Sequence, residues 1–168
     1  MTVAELDRLT RAAATEVLTS CCGARQWVER MVAKRPFGST GQVKADAEEI
    51  WESLTREDWL EAFAHHPRIG ETRSSQPGQG QAWSSREQSR VAEATAPVRQ
   101  ELERVNQDYE ARYGYRYIVC ASGRSAEELL SLARERLRHE PEDELRVAAG
   151  EQLRITLLRL DRLLSTGG

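Results

Sequence analysis

Apolar residues recur at intervals of three and four along nearly the whole chain, the spacing of helices that bury one face. This periodicity predicts helices at roughly 3–9, 12–20, 24–34, 41–54, 56–65, 85–95, 97–113, 125–138 and 142–164. Alanine, leucine, glutamate and arginine fill the positions between, and all four favour helix. Thr55 and Ser84 are placed as N-caps, while Pro97 and Pro141 are placed to open helices. The expected fold class is all-α: a single-domain helical bundle of about nine helices spanning residues 1–168. Two stretches break the pattern. Ser74 to Gly80 is a Gly/Pro/Gln loop, too short for a domain linker. From 115 to 121, Tyr115, Tyr117 and Val119 alternate with Arg116, Ile118 and Cys120, which predicts one short extended segment between helices. An isolated extended segment leaves backbone amides and carbonyls that either pack into a connector or bind a ligand rich in amide groups.

The last helix carries a subtler signal. Leu153, Leu157, Leu160 and Leu164 make one row at helical spacing, the expected core stripe. The adjoining row is Leu145, Ala149, Gln152, Thr156, Arg159 and Leu163, so Arg159 lies beside the stripe, whereas Arg154 and Arg162 point to solvent. Arginine is seldom buried alone. Arg159 therefore has either a salt bridge, to an internal acid or to a partner chain, or a bound anion.

Composition narrows the function. With 24 basic and 27 acidic residues the net charge is -3, and no basic block is present to neutralise phosphates, so nucleic acid is not an expected partner. Cys21, Cys22 and Cys120 are an odd number with an adjacent pair, which reads as buried thiols of a reduced, cytoplasmic protein. No Cys-x-x-Cys or His pair at helical spacing supports a metal site. The first residues lack a basic and then apolar leader, no run approaches ~18 apolar residues, and the end lacks the Ser-Lys-Leu peroxisomal address, so no membrane association is expected.

Two of the three histidines stand in His65-His66-Pro67. Pro67 pushes the preceding residue out of the α region, so the helix bearing Trp59, Leu60 and Phe63 should stop at His65 or His66 and leave His66 on a rigid corner. An imidazole there can give or take a proton near neutrality, or it can simply face the helix dipole. Ser84-x-x-Glu87 reads as a capping box, and the same helix N-terminus presents outward-pointing amides to an anion.

These two motifs come in order with Arg35-Pro36-Phe37 before them and Tyr113 to Ala121, Gly123-Arg124-Ser125 and Leu158-Arg159-Leu160 after them. Together they resemble the OHCU (2-oxo-4-hydroxy-4-carboxy-5-ureidoimidazoline) decarboxylase family over nearly the whole chain. The resemblance implies a helical bundle that removes carbon dioxide from an unstable ureidoimidazoline to yield (S)-allantoin in urate degradation, with no metal or organic cofactor, as a homodimer. It also implies His66, Glu87 and Arg159 as catalytic: His66 moves a proton, Glu87 orients it or shares its proton, and Arg159 holds an anionic or carbonyl oxygen. Pro67, Ser84, Ser85, Arg86, Glu87 and Gln88 would line the pocket, the backbone of Tyr117, Ile118, Val119, Cys120 and Ala121 would meet the ring or ureido arm, and Phe37 would supply an apolar wall.

One departure stands beside the site. The family commonly has an acidic residue and Leu-Ala after its His-Pro, whereas this chain has Arg68-Ile69-Gly70, which changes the neighbouring charge but not the imidazole. His65 adds an ambiguity of one residue, which Pro67 resolves in favour of His66. Two other readings are a hydrolase acting on a related ureide and a non-catalytic helical interaction module.

Overall fold

The structure, a computed structural model, describes residues 1–69, 87 and 89–165. Among these all regular secondary structure is helical: α1 (Val3–Arg8), α2 (Arg11–Cys21), α3 (Arg25–Lys34), α4 (Thr40–Glu52), α5 (Arg56–Ala64), α6 (Ser89–Ala92), α7 (Ala96–Tyr113), α8 (Ala126–Arg136) and α9 (Pro141–Ser165). Several helices begin where the sequence supplies a side-chain oxygen for an orphan amide. Thr2 and Ser125 each form a capping box, with Glu5 and Glu128 respectively. Thr55 does the same with Asp58, its hydroxyl accepting from the Asp58 amide at 3.3 Å. Pro97 lies in the first turn of α7, and Pro141 opens α9. At the far end of α7 Gly114 takes φ 82°, a left-handed conformation that ends a helix at little steric cost only for glycine. The N-cap predicted at Ser84, the loop from Ser74 to Gly80 and the beginning of the predicted 85–95 helix lie outside the described residues.

The chain divides into two compact units, Met1–Ala62 with Leu153–Gly168, and Phe63–Gln152. In the first, α3 packs on both α2 and α4. Leu18, Trp27, Met31, Val43 and Ala47 are buried there, and the Trp27 indole N–H donates to the Ala47 carbonyl at 3.1 Å. The Arg35 guanidinium donates to the carbonyls of Leu6 and Leu9 at 2.9 and 2.8 Å, satisfying acceptors at the end of α1. Cys21 and Cys22 are fully buried, and burial pushes their thiols up to about 12 and about 11, so they pack as small apolar groups.

In the second unit α7 packs against α8. Its core joins Leu102, Val105 and Tyr109 of α7 to Leu129 and Ala133 of α8, with Tyr117 and Val119 between these helices in sequence. The rings of Tyr109, Tyr113, Tyr115 and Tyr117 lie together, with Tyr109 and Tyr113 centred 4.7 Å apart. Residues 116–121 form neither helix nor strand. They are the expected non-helical stretch between helices, and they pack as a connector: Tyr117, Ile118 and Val119 are all buried in succession, where a strand with one wet face would bury every second residue.

The stripe predicted on the last helix needs correction. Of Leu153, Leu157, Leu160 and Leu164 only Leu160 is buried, whereas Gln152, Thr156, Arg159 and Leu163 are all buried. The face of α9 that goes inward is the one on which polar residues interrupt the apolar pattern. Arg154 is exposed as expected, and Arg162 is half-buried.

Candidate active site

α5 ends at Ala64, and the next residues turn, as Pro67 requires. His65 is exposed; His66 is half-buried, with its amide donating to the Phe63 carbonyl at 3.2 Å. Its Nε2 lies 2.6 Å from Oε1 of Gln152, a fully buried residue of α9. The backbone is held as well, since the Arg116 guanidinium donates both to the Ala64 carbonyl at 3.3 Å and to the carbonyl of His66. A cation on the last carbonyls of a helix replaces the hydrogen bonds that chain termination leaves unmade. Beyond Pro67, the Asn106 amide donates to the Ile69 carbonyl at 2.8 Å, and Arg68 grips Glu110 through two bonds of 2.7 and 3.0 Å. The unusual arginine after His-Pro thus has a carboxylate of its own.

The segment 117–121 is fixed by buried charge. Arg136 donates to the Ile118 carbonyl at 2.6 Å and to Glu144 at 2.7 Å, and Glu144 also accepts from the hydroxyl of Tyr109 and lies 2.8 Å from Nδ1 of His139. Glu144 has no exposed surface and Arg136 only 4%. The guanidinium lies over the Tyr117 ring at 4.8 Å, and the Tyr117 hydroxyl, pushed up to about 12 by burial, donates to the Leu129 carbonyl. The Cys120 amide donates to Glu151 at 2.7 Å. Two of the backbone groups expected to meet a ligand, the Ile118 carbonyl and the Cys120 amide, are therefore engaged within the protein. Glu87 is half-buried and near enough to Cys120 to affect it: burial raises the thiol pKa, and the carboxylates of Glu151 and Glu87 push the same way. Pro67 is half-buried next to His66, and Ala121 is buried.

Arg159 and Phe37 belong to the first unit. Arg159 is 7% exposed, and its charge acts on the thiols of Cys21 and Cys22, opposing the effect of burial. Phe37 is buried, and its amide donates to Asp7 at 3.0 Å. Ser84, Ser85, Arg86 and Gln88 lie outside the described residues. Sequence reasoning did not single out Gln152, Arg116, Arg136, Glu144 or Glu151. For Gln152 the signal was present, a polar residue two turns from Arg159 on one row; the others announce themselves only through partners distant in sequence. Among the described residues no group of three or more His, Cys, Asp or Glu side chains is placed to hold a metal ion, and no helix is long and apolar enough to cross a membrane.

A half-buried imidazole held at a helix end can give or take a proton near neutrality. The profile of the OHCU decarboxylase family matches residues 7–161. The chain belongs to that family. It is 38% identical over 148 residues to the uric acid degradation bifunctional protein TTL of Arabidopsis thaliana, covering 86% of this chain and 45% of that protein. It is 29% identical over 134 residues to the 2-oxo-4-hydroxy-4-carboxy-5-ureidoimidazoline decarboxylase of Amia calva, covering 77% of this chain and 75% of that one. A crystal structure of an OHCU decarboxylase in the presence of (S)-allantoin superposes with a TM-score of 0.77 at 34% identity, covering 88% of this chain and 96% of the other. The chain thus spans less than half the length of the plant relative.

Proposed function

We propose that this chain decarboxylates 2-oxo-4-hydroxy-4-carboxy-5-ureidoimidazoline to (S)-allantoin, a step of urate degradation within purine catabolism. Family membership supports the reaction, and the observation that carries it to a residue is the half-buried His66 imidazole held on Gln152. The leaving carboxylate is attached to a carbon next to a ring C=N. When that carbon–carbon bond breaks, its electron pair moves into the C=N and carbon dioxide departs. The substrate thus carries its own electron sink, which is why no metal or organic cofactor is invoked. What remains is to move the hydroxyl proton and deliver a proton to one face of the ureido-bearing carbon, and His66 does this. Glu87 orients or shares the proton. Arg159 holds an anionic or carbonyl oxygen with its planar fork. Pro67, Phe37, the segments 84–88 and 117–121 shape the pocket, the latter through the backbone groups not already engaged. We further propose that residues 1–168 act as one decarboxylase domain, a cytoplasmic homodimer; the buried thiols of Cys21 and Cys22 suit a reducing compartment. The reading is tested by generating the substrate from urate in situ, where the protein should speed release of carbon dioxide. Release of ammonia or urea in its place would favour the ureide hydrolase.

Arg159→Lys separates the two readings of that arginine. If it binds substrate, the variant keeps the charge, loses the fork, and weakens transition-state stabilisation by about 1.5 to 3 kcal/mol, with little change in melting temperature. We expect that result when kcat/KM and melting temperature are measured on one preparation. A lower melting temperature with unchanged turnover would make Arg159 a structural anchor.

A further inference from the structure

We infer that Gln152 is a positioning residue that fixes the tautomer and direction of His66, so that Nδ1 is the nitrogen that exchanges the substrate's proton. The inference rests on the decarboxylase reading and deepens it. Nε2 of His66 lies 2.6 Å from Oε1 of Gln152, and an amide oxygen only accepts. The bonding hydrogen is therefore on Nε2, and in the neutral ring the lone pair is on Nδ1. Gln152 is fully buried in the long helix α9, and Arg116 holds the carbonyl of His66, so the ring is restrained from both its tip and its backbone.

The choice of a neutral partner has a chemical consequence. A carboxylate at the same place would also hold the Nε2 hydrogen, but it would stabilise the imidazolium and keep the ring charged. An amide orients the ring without adding a negative charge, so the neutral ring keeps its basic lone pair on Nδ1. A glutamine on the buried face of a helix, among positions that periodicity would fill with leucine, also has an explanation here: its oxygen is needed where the imidazole arrives.

The test is nitrogen-15 NMR of the imidazole in the full chain, with the His66 signals assigned by their loss in His66→Ala. In the wild type, Nε2 should be pyrrole-type and Nδ1 pyridine-type. Gln152→Met keeps the length of the side chain without its acceptor; the tautomer should become mixed, and kcat should fall on the order of tenfold to a hundredfold with KM little changed. Gln152→Glu restores an acceptor while favouring the imidazolium, so the ring should lose its proton at higher pH and, once neutral, again carry its hydrogen on Nε2, a rescue that a purely structural role for Gln152 does not predict. A pyridine-type Nε2 in the wild type, or a Met variant with unchanged tautomer and turnover, would overturn the inference. If the tautomer behaves as stated but the wild-type protein does not speed decarboxylation, the functional reading fails and the tautomer assignment stands.

Discussion

His66→Ala loses turnover by about 10²- to 10⁴-fold, the range supplied by a positioned acid or base, while His65→Ala retains it. Adjacent histidines of like composition make this a stringent comparison. His65 is exposed just beyond the last residue of α5, whereas His66 is half-buried with its ring on Gln152 and its carbonyl on Arg116. The folded state should survive the loss of His66, because depriving the buried Gln152 oxygen of this partner costs only about 1–3 kcal/mol. Circular dichroism should show unchanged helicity, and steady-state rates on the same samples should separate the variants. Equal losses in both, or an essential His65, would put the proton-transfer residue in the wrong register.

The largest effect on stability is expected from the buried ion pair of the second unit. Arg136→Met leaves the Glu144 carboxylate inside the protein, where removing one partner of such a pair costs about 3–5 kcal/mol. The Tyr109 hydroxyl and Nδ1 of His139 remain against Glu144, but the hydroxyl is neutral, burial holding its proton well above the ordinary tyrosine range, and neither replaces the guanidinium fork. The melting temperature should fall by roughly 6 to 20 °C, given about 2–4 °C per kcal/mol for a chain of this size. Adding Glu144→Leu to Arg136→Met removes the stranded charge and should recover part of the loss, as coupled neighbours do. Singles within about 1 kcal/mol of the parent, or a double variant whose loss is the sum of the two, would contradict this account. Because Arg136 also holds the Ile118 carbonyl, the single variant should loosen the segment 117–121 and expose its amides to faster hydrogen exchange.

Helices were legible because their determinants are local. Periodicity, the cap at Thr55, and prolines at 97 and 141 all act within one or two turns. The corner after α5 was equally legible, since Pro67 alone restricts His66. The break in helix at 115–121 was legible as well, but its partners were not, because Arg136 and Glu151 reach its backbone from other helices. The inward face of α9 was misjudged for a related reason. Hydrophobic spacing locates buried leucines, and it passes over a face whose buried members include Gln152, Thr156 and Arg159. That failure is informative, because polar residues on a buried face are tolerated where they have partners to serve. The roles given to His66, Glu87 and Arg159 came from a likeness of motifs, not from helical spacing.

The central claim is stereospecific decarboxylation, and the most direct measurement follows it by optical activity. Urate oxidation generates the ureidoimidazoline in situ, and circular dichroism reports its decay and the handedness of the product with and without the protein. The account predicts faster decay and accumulation of (S)-allantoin, with both effects lost in His66→Ala. Racemic allantoin formed at the spontaneous rate would contradict it.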